Sequence, residues 1–140
     1  MIKKTIKFVD FDGNNREEEH YFNLTKAEVM DMEIGVTGGM SGMLKRMIAA
    51  QDMPSLYKVV NNIIKTAYGI KSPDGRKFMK SQEIWDDFYQ TEAYSELMME
   101  LVSDDKKAAD FINALMPKDL AEYAAKAPEQ VAMAIPEAAN

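Results

Sequence analysis

Asp10 and Asp12 are the residues best placed to do chemistry. They stand in Phe8-Val9-Asp10-Phe11-Asp12-Gly13-Asn14-Asn15, where an apolar run leads into Asp-x-Asp-Gly. A carboxylate in that order can attack a phosphate, with the second acid and Mg²⁺ assisting. The same opening also begins calcium loops. Asp12 and Asn14 stand where the next two ligands belong, but Asn15 replaces the obligatory turn glycine and Tyr21 the closing glutamate. The phosphate reading needs the motif at the end of a central parallel strand. It also needs a Ser/Thr, a Lys and further acids on an α/β frame.

Other chemistry is thinly represented. The chain has no cysteine, which removes disulfides, zinc–thiolate sites and thiol catalysis. His20 is the only histidine, and no nucleophile elbow accompanies it. The cluster GVTGGMSG over residues 35–42 is neither a dinucleotide fingerprint nor a P-loop and reads as a hinge. We therefore expect no catalytic residues, no metal and no cofactor. A small Mg-dependent phosphohydrolase using Asp10 is the remote alternative.

The elements around these residues decide the matter. Residues 4–11 alternate as a strand, with Ile6 and Phe8 on one face and Thr5, Lys7 and Val9 on the other. Residues 17–24 form a second strand, with His20, Phe22 and Leu24 sharing a face, and DGNNR between them is hairpin-turn chemistry. Thr25 to Glu28 is a capping box for a helix over about 26–34. Further helices are expected over 41–51 and from Pro54 to Tyr68, the latter ended by Gly69 with Ile70 folding back. A type I turn starts at Ser72, and Ser81, Thr91 and Ser103 or Asp104 cap three more helices. A last short helix is expected from Pro117. The fold class is α+β, mostly α: an N-terminal β-hairpin (4–24) followed by a small multi-helix part (25–126), read as one domain over 1–126, with no later strand visible. Residues 127–140 read as a loosely ordered Ala/Pro-rich tail. An alternating strand joined to a hairpin partner is the wrong frame for phosphate transfer.

Composition narrows the classes further. The 140 residues carry a net charge of −6, which speaks against nucleic acid and anionic membranes as partners. No run approaches a membrane span, and the N-terminus lacks the features of a signal peptide. Residues 81–110 alone carry −7, leaving +1 for the rest, and they also hold Trp85, Phe88, Tyr89, Tyr94, Met98 and Met99. Twelve methionines are unusual; methionine adapts to irregular partners. Candidate partner-binding residues are therefore Met40, Met43 and Met47 on one stripe, and Trp85, Phe88, Tyr94, Met98 and Met99 on another. The partner that suits them is basic and amphipathic. The exposed edge of the hairpin is a further place where chains could pair, and a homo-oligomer is possible.

Three stretches carry a resemblance: YFNLTKAE, GGMSGMLKRMIAAQD, and AYGIKSPDGRKFMKSQEIWDDFYQTEAYSELMMELVSDDKKAADFINALMP. The chain resembles the tail assembly chaperones of long-tailed phages infecting Gram-positive hosts. The most specific residues are Tyr68-Gly69, the turn Ser72 to Arg76, Phe78, Lys80-Ser81 and Gln90 to Leu97. The resemblance implies a non-enzymatic protein that binds the tape-measure protein and keeps it soluble while the tail tube assembles. It further implies contacts with the tail-tube protein and with a longer, frameshifted form of the chain. Such a protein works in the host cytoplasm and is not expected in the mature virion. A structural or tail-completion component is the alternative.

Overall fold

The structure, a computed structural model, describes residues 1–34 and 39–116. These fall into two compact units. The expected helix beginning at Pro117, the tail 127–140, and Gly35 and Gly38 of the expected hinge lie outside the described residues.

The first unit contains residues 1–23 and 54–115. Its strands β1 (Ile2–Val9) and β2 (Asn15–Phe22) pair antiparallel, from Ile2 against Phe22 to Val9 against Asn15 without a break in register. Gly13, at φ +84°, takes the left-handed position of the turn. Alternation then sorts the two faces. Ile6 and Phe8 are buried on the inner face with Phe22, while Lys3, Thr5, Lys7 and Val9 look outward.

Two strands unforeseen in the sequence extend the sheet. Helix α3 (Met53–Ala67) runs directly into β3 (Tyr68–Lys71), which pairs with β2 and with β4 (Phe78–Met79). The sheet is thus four antiparallel strands in the order β1-β2-β3-β4. The expected helix end at Gly69 is corrected by this. Gly69 is not in the left-handed region but in a strand, packed so closely that a Cβ there would lie 2.6 Å from the Phe78 ring. The connection is tied by the buried Ser72. Its hydroxyl donates to Asp74 at 2.6 Å and accepts from Lys77 N–H at 3.0 Å, while Gly75 N–H closes the expected turn onto Ser72 C=O.

Three helices complete this unit: α4 (Gln82–Tyr89), α5 (Glu92–Val102) and α6 (Asp105–Leu115). Ser81 caps α4 by accepting from Ile84 N–H, and Asp104 caps α6 by accepting from Lys106 N–H. Thr91 stands at the N-cap of α5 but makes no capping bond. Its hydroxyl instead donates back to Phe88 C=O at 2.7 Å. The periodic positions Leu97, Leu101, Ala108, Phe111, Ile112 and Leu115 are all buried, as helical spacing dictates.

In the second unit, α1 (Lys26–Ile34) and α2 (Gly39–Ala49) pack on each other. The capping box forms in both directions: Glu28 N–H donates to Thr25 Oγ1, and Thr25 N–H donates to Glu28 Oε1. α2 ends with Gln51 at φ 55°, Asp52 N–H reaching Met47 C=O and Gln51 N–H reaching Ile48 C=O. This is a left-handed helix stop made without glycine.

Candidate partner-binding surface

The Asp10 carboxylate of the opening motif is occupied by the turn. Asp10 Oδ1 accepts from the backbone N–H groups of Asp12 (3.0 Å) and Asn14 (2.9 Å), and Oδ2 accepts from Arg16 Nε at 2.5 Å. Arg16 first, then the backbone donors, hold this carboxyl below its usual range. Three donor contacts leave the group as the organiser of a reversal, and the all-antiparallel sheet lacks the parallel strand that phosphate transfer requires. Among the described residues, no three His, Asp or Glu side chains are grouped to hold a metal ion.

Aromatic side chains fill the first unit instead. Tyr68 stacks on Phe88 with centroids 4.3 Å apart and planes 8° from parallel. Phe22 meets Tyr68, Phe88 and Phe111 edge-on, and Trp85 meets Phe88 and Tyr94 likewise. His20 lies over Phe88, with one ring nitrogen against Tyr68 OH and the other against Glu18, both at 3.1 Å. Tyr94 donates to Asn61 Oδ1.

Burial explains two raised phenol pKa values. Tyr68 is pushed up to about 12, by burial first and then by Glu18 and Asp87; Tyr94 is pushed up by burial and by its contact with Tyr57. In both, the folded chain favours the neutral phenol. The stability gained is complete below the ordinary phenol value of about 10 and is lost as pH rises towards 12. With screening discounted, Tyr68 should account for on the order of 1–2 kcal/mol. Urea midpoints at pH 8 and pH 11.5 measure this, and Tyr68→Phe should flatten the difference.

This core takes up half of the residues that sequence reasoning offered to a partner. Trp85, Phe88, Tyr94 and Met98 are buried in the first unit and present no free surface. Met99 is 64% exposed on the outer side of α5. In the second unit, Met40 is buried while Met43 and Met47 are half-buried. The structure thus brings Trp85, Phe88 and Tyr94 together, leaves Met99 apart from them, and keeps the Met40 stripe on a separate unit.

Two further surfaces stand open, the first unnoticed in the sequence and the second the hairpin edge already expected there. One is a tyrosine shelf: Tyr57 (45% exposed) from α3 and Tyr89 (51% exposed) from α4 flank Tyr94, with Trp85 behind, 5.5 Å from Tyr89 between centroids. Rigid aromatics with a polar tip suit protein contacts. Tyr57 and Tyr89 lie one position off the apolar stripes of their helices, which is the signal that could have found them. The other is the outer margin of β1, beside which α5 lies with Glu92, Glu96 and Glu100 at four-residue spacing. Lys4 reaches Glu100 at 2.8 Å across it. Phe11, 79% exposed, stands at the hairpin tip at one end.

The first unit thus carries exposed aromatic side chains and, among the described residues, an unpaired outer strand edge. No helix among them is long and apolar enough to cross a membrane. A family model described as phage tail assembly chaperone matches residues 1–139. No curated protein and no solved structure matches the chain.

Proposed function

The chain belongs to the phage tail assembly chaperone family, and from that premise we propose that it binds the tape-measure protein and keeps it soluble while tail-tube subunits assemble around it. The family match over nearly the whole chain is the observation that carries this reading. The surface supports it: aromatics and methionines beside an acidic α4–α5 region offer apolar contact area and anionic steering towards a lysine-bearing helix. No catalytic chemistry enters the role.

The contact surface assigned to the client on the first unit is Met99, the exposed member of the sequence-derived set there, joined by Tyr57 and Tyr89; the half-buried Met43 and Met47 of the second unit are a separate candidate contact. Work in the host cytoplasm, contacts with the tail-tube protein and a longer frameshifted form of the chain belong to the same reading. Mass spectrometry of tail-assembly intermediates and of purified virions tests it. The chain should accompany the tape-measure protein in the intermediates and be absent from virions. Stoichiometric recovery from virions would instead mark a structural component.

A further inference from the structure

β1 is the outermost strand of the sheet, and among the described residues no strand pairs with its outer side. Which of its backbone groups face out follows from the ladder. Asp10 N–H bonds inward to Asn14 C=O at 2.9 Å, and the register is unbroken back to Ile2. Alternation then turns the N–H groups of Ile2, Lys4, Ile6 and Phe8 towards β2, and those of Lys3, Thr5, Lys7 and Val9 outward. A hollow is lined by Lys4, Thr5, Ile6 and Lys7 together with Glu96, Leu97 and Glu100. Successive strand residues point to opposite faces, so a hollow touching four in a row opens on the backbone edge itself.

This hollow is the middle of three in a line. At one end Ile2, Leu101, Phe111 and Ala114 floor a recess of about 340 Å³ rimmed by Lys107 and Asp110, and at the other Phe8 and Phe11 stand against Thr91 and Glu92, with Arg16 and Glu18 of β2 alongside. α5 walls the line with Glu92, Glu96 and Glu100. Four helical residues rise about 6.0 Å and two strand residues about 6.8 Å, so alternate residues of an added strand would pass one glutamate each. Glu100 is bonded to Lys4, whereas neither Glu92 nor Glu96 makes an ion pair among the described residues.

We infer that the outer edge of β1 accepts an extended segment of a partner protein as a fifth strand, with two Lys or Arg residues between apolar ones on its inward face. The basic residues meet Glu92 and Glu96, and the apolar ones fill the end recesses. A second copy fits poorly. Pairing β1 with itself sets Lys3 and Lys7 on the outer face against the same two lysines, with no acid in the strand. It also brings two α5 glutamate stripes together on one face. The inference names an edge and a chemistry and stands whether or not the tape-measure protein is the client.

The test uses the full chain and a capped eight-residue peptide, Val-Thr-Lys-Thr-Lys-Thr-Val-Thr, which sets two lysines between two valines on one face, read by residue-resolved amide exchange. The amides of Lys3, Thr5, Lys7 and Val9 should slow by about tenfold or more, while those of Ile2, Lys4, Ile6 and Phe8 stay unchanged. Glu96→Lys should reduce the protection. Thr5→Pro, which removes an outward N–H and leaves the hairpin ladder intact, should abolish it. Equal protection by a glutamate–valine peptide would overturn the proposal, as would no protection by the lysine peptide. Protection of the same four amides by raised protein concentration alone would also overturn it, in favour of a second copy.

Discussion

Phe22→Ala is expected to cost about 3–5 kcal/mol of folding stability. Phe22 is 0% exposed, and its ring meets three others, those of Tyr68 (5.5 Å), Phe88 (5.9 Å) and Phe111 (5.4 Å). It therefore joins β2, β3, α4 and α6 at one point. Its backbone is fixed by pairing with both Ile2 and Tyr68, so the site cannot collapse by shifting the strand. Truncation removes the transfer energy of a large apolar side chain and leaves a cavity walled by stiff rings. Against a total of roughly 5–15 kcal/mol for a domain, the variant should sit near its unfolding midpoint. Urea unfolding followed by tryptophan fluorescence reads the loss, since Trp85 belongs to the same cluster. A loss below about 1 kcal/mol would mean that the cluster is not the core.

Gly69→Ala is expected to cost about 2–3 kcal/mol, by overpacking instead of truncation. The added methyl would fall 2.6 Å from a Phe78 ring carbon and 2.7 Å from the Met79 carbonyl oxygen. The ring could swing aside, but the carbonyl is backbone, so β3 must move away from β4. Gly75→Ala is the informative contrast. A Cβ there meets open space and the cost is only that of φ +74°, about 1–2 kcal/mol. Thermal unfolding of the two variants side by side separates crowding from backbone strain. Equal losses would contradict the tight β3–β4 packing.

Local signals in the sequence found most of the helices. Thr25 and Glu28 form their box, Ser81 and Asp104 cap as their chemistry requires, and Ala108, Phe111, Ile112 and Leu115 face inward at helical spacing. What was not legible depended on distant partners. Tyr68–Lys71 and Phe78–Met79 are too short to show a strand period, and they are strands because β2 pairs with the first and the first with the second. Gly69 resembled a helix stop because a glycine after a helix often is one. Its actual reason, the Phe78 ring across the sheet, leaves no local trace. Thr91 has the right type for a cap, but a backbone carbonyl of the preceding helix captures its hydroxyl.

The same limit governs the binding residues. Trp85, Phe88, Tyr94 and Met98 have the composition of a protein-contact patch, and aromatic residues serve cores and interfaces equally well. Which of these uses applies depends on what packs over them, and here α3, β2 and β3 do. The acidic bias of residues 81–110 was legible, whereas its alignment along an open strand edge required the fold. Asp10 shows the converse case. Its motif suggested catalysis, and its three donor contacts show a turn.

The central claim is that this chain holds a tape-measure protein in solution. The most direct measurement is the soluble fraction of the tape-measure protein when co-expressed with the wild-type chain, with the Phe22→Ala variant, and alone. The account predicts a large soluble fraction, co-purifying with the chain, only in the wild-type co-expression. An unchanged soluble fraction with well-expressed wild-type chain, and no tape-measure protein bound to it, would contradict the claim.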